Sequence, residues 1–190
     1  MRTRICFVAI ACGMYAATTA AFCGEPPLPL FESFKTICVD TQGQREAVEK
    51  AIERAGGRLR QSKFDGVYVS YWFWDIAVAG HTMSVDFTMF RNPRDAICGV
   101  TSEHNEDDSI AAIIKWVGVA PEPDTVISDP HHTARTFRYQ QQGDSRSPLP
   151  TDQAVFGQML INGRLHTLWV SQYSTSASVS INWDIPVRNL

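Results

Sequence analysis

Two stretches of this chain alternate apolar and polar residues with a period of two, and they constrain the fold more than any other feature. Met83, Val85, Phe87 and Met89 alternate with Ser84, Asp86 and Thr88, and Ala177, Val179, Ile181 and Trp183 alternate with Ser178, Ser180, Asn182 and Asp184. Successive side chains of a strand point to opposite faces, so each stretch reads as a strand with one face in a core and one face wet, the pattern of an antiparallel sheet. Val67 to Ala79 is apolar on both alternating sets, which predicts a strand covered on both faces. Gly80-His81 is the turn between it and the next strand, and Ala96 to Val100 follows the Asn92-Pro93 turn as a third. Thr133 to Gln140, Ala154 to Ile161 and Arg164 to Ser171 also read as strands, with Asn162-Gly163 as a type I′ hairpin signal.

Helical spacing occurs in three shorter places. Thr41 with Gln44 three residues later forms a capping box, Ala47, Val48, Ala51, Ile52 and Ala55 make one apolar stripe, and Gly56-Gly57 closes the helix. Phe31, Phe34, Ile37 and Cys38 are spaced as a helical face before it, so the domain is expected to begin near Leu30. Asp107-Asp108-Ser109 caps a helix whose Ile110, Ile113, Ile114 and Val117 share a face, with Gly118 as its stop. Pro121 to Pro130 and Gln141 to Gln153 read as loops. The expected fold is a single α+β domain over residues 31–190, an antiparallel sheet of six to seven strands with two to three short helices. A chain of 190 residues, 44% hydrophobic, can bury such a core without a metal.

The N-terminus carries an address. Arg2 and Arg4 precede the uncharged run Ile5 to Ala17, and Thr18-Thr19-Ala20 places small residues where a signal peptidase needs them, after Ala20 or Ala21. Glu25-Pro26-Pro27-Leu28-Pro29 cannot continue a helix. Residues 1–20 are therefore expected to be a cleaved signal peptide and 21–30 a Pro-rich tail, which gives a periplasmic or secreted address. Phe22 ahead of Cys23 disfavours lipidation, and beyond residue 22 the longest apolar stretch is broken by Ser70 and Asp75, so no membrane contact is expected after cleavage. Loss of Arg2 and Arg4 leaves 15 of the 17 basic residues against 20 acids, a net charge of −5, which excludes the basic footprint that nucleic-acid binding needs.

Export makes the cysteines readable. Cys6 and Cys12 leave with the leader, and Cys23, Cys38 and Cys98 allow three pairings. Cys38 with Cys98 is favoured, because Cys38 precedes a helix and Cys98 lies in the apolar patch Ala96-Ile97-Cys98-Gly99-Val100; Cys23 is then the odd thiol. The alternative is that both are small buried hydrophobes.

Phe34-x-x-x-Cys38, Thr41, the helix closed by Gly56-Gly57, an aromatic strand, Cys98-Gly99-Val100 and the amphipathic helix at 109–117 resemble a loose group of exported Gram-negative bacterial proteins of unknown function. The likeness covers residues 31–118. It implies a periplasmic or secreted address and the two-cysteine pairing, and it brings no activity and no functional residues.

Motifs for chemistry are sparse. There is no Gly-x-Ser-x-Gly elbow, no phosphate-cradling glycine loop, no Cys-x-x-Cys and no His-Glu-x-x-His, so no catalytic residues and no cofactor are assigned. Two features remain. Tyr71, Trp72 and Trp74 lie in an aromatic strand; an uncovered face carrying them would stack on a small ligand or anchor a partner protein, which gives the leading expectation of a non-catalytic binding module working through an aromatic sheet face. Asp129, His131 and His132 offer imidazole and carboxylate donors of the kind zinc takes, with Glu103 to Asp108 as a second polar cluster. The alternative expectation is thus a periplasmic metal-dependent hydrolase centred on His131, His132 and Asp129, converging with Glu103 or His104 in one cleft.

Overall fold

The two alternating stretches become strands of one antiparallel sheet, with one further strand between them. The computed structural model describes residues 28–65, 69–91, 94–149 and 165–184. Within them the strands are β1 (Arg58–Asp65), β2 (Val69–Val78), β3 (His81–Arg91), β4 (Arg94–Ser102), β5 (Ile127–Ser128), β6 (His132–Gln142), β7 (Ser145–Pro148), β8 (Leu165–Tyr173) and β9 (Ala177–Asp184). Their order is β1-β2-β3-β4-β9-β8-β6-β5, with β7 paired to β6 off this path. Three α-helices, α1 (Pro29–Phe34), α2 (Arg45–Arg54) and α3 (Asp107–Val117), complete an α+β domain, and a π-helical turn, Lys35–Val39, extends α1. The leader, Cys23, the strand expected at Ala154 to Ile161 and the Asn162-Gly163 turn lie outside the described residues.

The nine strands exceed the six to seven expected from the sequence. The extra ones have no apolar alternation to betray them. β1 is a polar edge strand that pairs with β2 through a bulge between Leu59 and Gln61, β5 has two residues, and β7 sits inside the polar segment read as a loop. Backbone pairing holds such strands together with polar contacts such as Arg60 to Asp75 and Arg146 over the Trp116 ring, and hydrophobic alternation reports none of these.

Register places one row of core side chains across six strands. Trp72 lies opposite Phe87, Phe87 opposite Cys98, Cys98 opposite Ile181, Ile181 opposite Leu168 and Leu168 opposite Phe137. The helices lay their apolar stripes on this face: Leu30 and Phe34 of α1, Val48 and Ile52 of α2, and Ile110, Ile113 and Val117 of α3 belong to the same core cluster. Cys38 and Cys98 form a disulfide across this layer, their Cα atoms 5.4 Å apart. Burial of these side chains is the main stabilising term, at about 25 cal/mol per Å² of apolar surface.

Three local expectations need correction. β2 is not covered on both faces: Trp72, Trp74 and Ile76 enter the core, whereas Val69, Tyr71 and Phe73 are half-buried on the opposite face. Thr41 does not cap α2; its hydroxyl donates back to the Ile37 carbonyl at 2.7 Å, closing the preceding turn, and Gln44 is the N-cap residue. The N-cap residue of α3 is Glu106, one position before the acids assigned to that role. Gly118 does stop α3, in the left-handed conformation at φ 68°, which glycine adopts without the Cβ penalty.

Candidate functional site

The aromatic candidates divide between the two faces of the sheet. Trp72 and Trp74 are each only 5% exposed, so they cannot serve as a stacking platform. The cause is the helical layer, whose apolar stripes need that same face, and the Arg45 guanidinium of α2 lies over the Trp72 ring at 4.5 Å. Tyr71 lies on the opposite face with Phe73, and Trp169 of β8 shares that face, opposite Thr136 and Ser180. Trp183 is on the core side, although its strand neighbours that of Trp169.

A different constellation forms where α3 begins. Antiparallel pairing of β3 with β4 sets Met83 opposite Ser102, which brings the first residue of β3, His81, to the end of β4. The chain then loops through 103–106 into α3. Glu106 is buried there, and its carboxylate is met on both oxygens: Oε1 accepts from Ser102 Oγ at 3.0 Å and stands 2.9 Å from His81 Nδ1, while Oε2 accepts from Ser109 Oγ at 2.9 Å. A buried carboxylate is tolerated only with such partners, and the Ser109 bond joins side chain to side chain without capping a backbone N–H of α3. With the carboxylate accepting, Nδ1 carries the hydrogen, and in the neutral tautomer this leaves the lone pair on Nε2, away from Glu106. His81 is about one-third exposed (35%) and the His104 ring stands edge-on to it, centroids 4.9 Å apart. A depression of about 420 Å³ opens here, lined by His81, Asn105, Glu106, Asp107 and Asp108 with Leu28 and Pro29.

A second depression of about 200 Å³ adjoins it, lined by Asp129, His131, His132, Gln172, Tyr173 and, again, Asn105. Asp129 Oδ1 accepts the backbone N–H groups of His131 and His132, both at 2.8 Å, which fixes the turn. Register sets His132 opposite Tyr173, and the two rings stack at 4.2 Å, within 3° of parallel. The Gln172 amide spans the two depressions, donating to Asn105 Oδ1 at 2.9 Å and to the Asp107 carboxylate. Four of the five histidines, His81, His104, His131 and His132, therefore lie at this end of the sheet. Comparison with known proteins adds no counterpart: no family model, no curated protein and no solved structure matches the chain.

The geometry narrows the chemistry. Asp129, His131 and His132 share a depression with Asn105, but Glu103 and His104, with which the metal-hydrolase expectation joins them, do not line it. One oxygen of Asp129 is spent on the turn, and among the described residues no three His, Cys, Asp or Glu side chains are grouped to hold an ion. The dyad at His81 is not a nucleophile triad either. Both serine hydroxyls donate to the carboxylate, whereas a nucleophile must donate its proton to the imidazole.

The remaining perturbed groups lie elsewhere. His166 is buried on the core face between Tyr139 and Trp183, ring centroids 5.5 and 4.7 Å away. Burial drives its pKa down to about 4, the Arg146 charge pushes the same way, and the Asn182 carbonyl opposes. Burial likewise pushes the Tyr139 phenol up to about 12 against the pull of Arg146. On the opposite face Asp86 is raised by burial, its carboxylate lying over Gly99. His81 and Glu106 carry no motif. The capping position of Glu106 was the only local signal, since their meeting depends on a strand register that the linear sequence does not display.

Proposed function

We propose that this chain is an exported, non-catalytic binding module whose ligand site is the histidine-lined end of the sheet. One observation carries the reading: a buried carboxylate, held by two hydroxyls, fixes His81 with its Nε2 directed away from the carboxylate beside an open depression, an arrangement that presents a ligand-binding atom and lacks a nucleophile. The two depressions are lined by Glu106, Asp107, Asp108 and Asp129 and, among the described residues, by no Lys or Arg, so the field favours a cationic ligand. The leader-like N-terminus and the Cys38–Cys98 disulfide support export to the periplasm or beyond, where thiols oxidise. No helix among the described residues is long and apolar enough to cross a membrane.

A second reading keeps the aromatic sheet face but moves it. Tyr71, Phe73 and Trp169 lie half-buried on the face away from the helices, around a floor of small polar residues that includes Ser180 and Thr88. Titration of the isotopically labelled, oxidised protein with ammonium, guanidinium and zinc salts, followed by amide chemical shifts, separates the two. Shifts clustered at 81, 103–109 and 129–132 are expected. Shifts confined to Tyr71, Phe73 and Trp169 favour the sheet face, and an unchanged spectrum with all three probes contradicts the proposal.

A further inference from the structure

We infer that His81 and His104 together form a labile site for a divalent transition-metal ion of the imidazole-preferring class, with Glu106 as its positioning residue. The inference rests on the reading of the histidine end as a ligand site and names its ligand.

A metal-binding imidazole must offer a bare lone pair, and in proteins its other nitrogen almost always donates to a carboxylate or carbonyl that fixes ring and tautomer. His81 meets both conditions. Glu106 Oε1 holds Nδ1 at 2.9 Å, the serines at 102 and 109 hold the carboxylate in turn, and Nε2 is left free to coordinate. The second donor is close: the His104 ring stands edge-on with its centroid 4.9 Å from that of His81, and a hydrogen bond from its backbone N–H to Ser102 Oγ at 3.2 Å ties its loop to the same network. Two imidazoles set about this far apart can bind one ion between them, as adjacent histidine ligands do when each nitrogen lies about 2 Å from the metal.

The surroundings set the class of ion. Asp107 and Asp108 line the same depression and raise the local concentration of cations without a competing Lys or Arg among the described lining residues. Imidazole suits zinc, copper and nickel, whereas magnesium and calcium need cages of oxygen ligands. Protein supplies two ligands and water the rest, so the ion exchanges freely, unlike that of a closed structural site. The neighbouring pair is less suited: the His132 ring is stacked on Tyr173 and its Nε2 is enclosed.

Calorimetric titration of the oxidised, untagged protein with zinc chloride at pH 7.5 tests this. One ion per chain is expected. His81→Ala and His104→Ala should each weaken it at least about tenfold, Glu106→Gln by about 10- to 100-fold with an unchanged circular dichroism spectrum, and His131→Ala should leave it unaltered. Unchanged affinity in His81→Ala and His104→Ala, or loss on His131→Ala, overturns the assignment. If zinc does not bind while ammonium or guanidinium still shifts the amides of 103–109, the metal inference fails and the reading of this end as a cationic site stands.

Discussion

His166 gives the chain a stability that depends on pH. It is 5% exposed on the core face, packed between the Tyr139 and Trp183 rings, and burial holds its pKa at about 4 against 6.5 for the free group. The folded value lies below the unfolded one, so between these limits the unfolded chain binds the extra proton. The neutral ring's full contribution is present above pH 6.5 and is lost as pH falls from there toward 4. A displacement of about 2.5 units corresponds to about 3 kcal/mol once the loss is complete, and about 2 kcal/mol is already gone at pH 5. His166→Phe keeps an aromatic ring in the sandwich and removes the titration. Urea unfolding of both proteins at pH 7.5, 6 and 5 isolates the effect, because the other titrating groups are common to both and largely cancel in the difference. The wild-type stability should fall relative to the variant by about 2 kcal/mol between pH 7.5 and 5. A difference that stays constant over that range would show that the imidazole is not desolvated as the packing requires.

Two other perturbations probe the two faces of the sheet. Reducing Cys38–Cys98 opens a loop of 60-residue separation, and in the chain-entropy picture this should cost about 4 kcal/mol in urea unfolding; a cost below about 1 kcal/mol would mean that the reduced chain is already restricted. A Cβ on Gly99 would sit 2.5 Å from Asp86 Oδ1, so Gly99→Ala is expected to lower stability by about 1–3 kcal/mol, and Asp86→Ala in the same chain should restore part of it. Strict additivity of those two changes would remove the proposed contact.

What the sequence displayed and what it hid follow from range of interaction. β3 and β9 were legible because alternation is a local consequence of one buried face, and α3 because its apolar residues repeat with the helical turn and Gly118 ends it. The disulfide was legible because export and the surroundings of Cys38 and Cys98 favour one of three pairings. The side taken by Trp72 and Trp74 was not, because β2 is apolar on both sets and only the docking of helices decides which set is covered. Nor was the dyad legible: His81 and Glu106 are 25 residues apart, and neither belongs to a motif. Their meeting follows from the β3–β4 register and the entry of the chain into α3, two facts that exist only in the folded molecule.

The central claim is that a buried carboxylate holds the His81 ring by Nδ1 beside the open depression and leaves Nε2 as its ligand-binding nitrogen. The imidazole nitrogen resonances of His81, measured at pH 8 on the uniformly labelled, disulfide-bonded protein, test it most directly. Glu106 as acceptor requires a protonated Nδ1, the tautomer of the neutral ring that leaves Nε2 bare, and the two nitrogens should show well-separated shifts of that order. A hydrogen on Nε2, or averaged shifts from a freely exchanging ring, would contradict the account and remove the basis for a ligand at this end of the sheet.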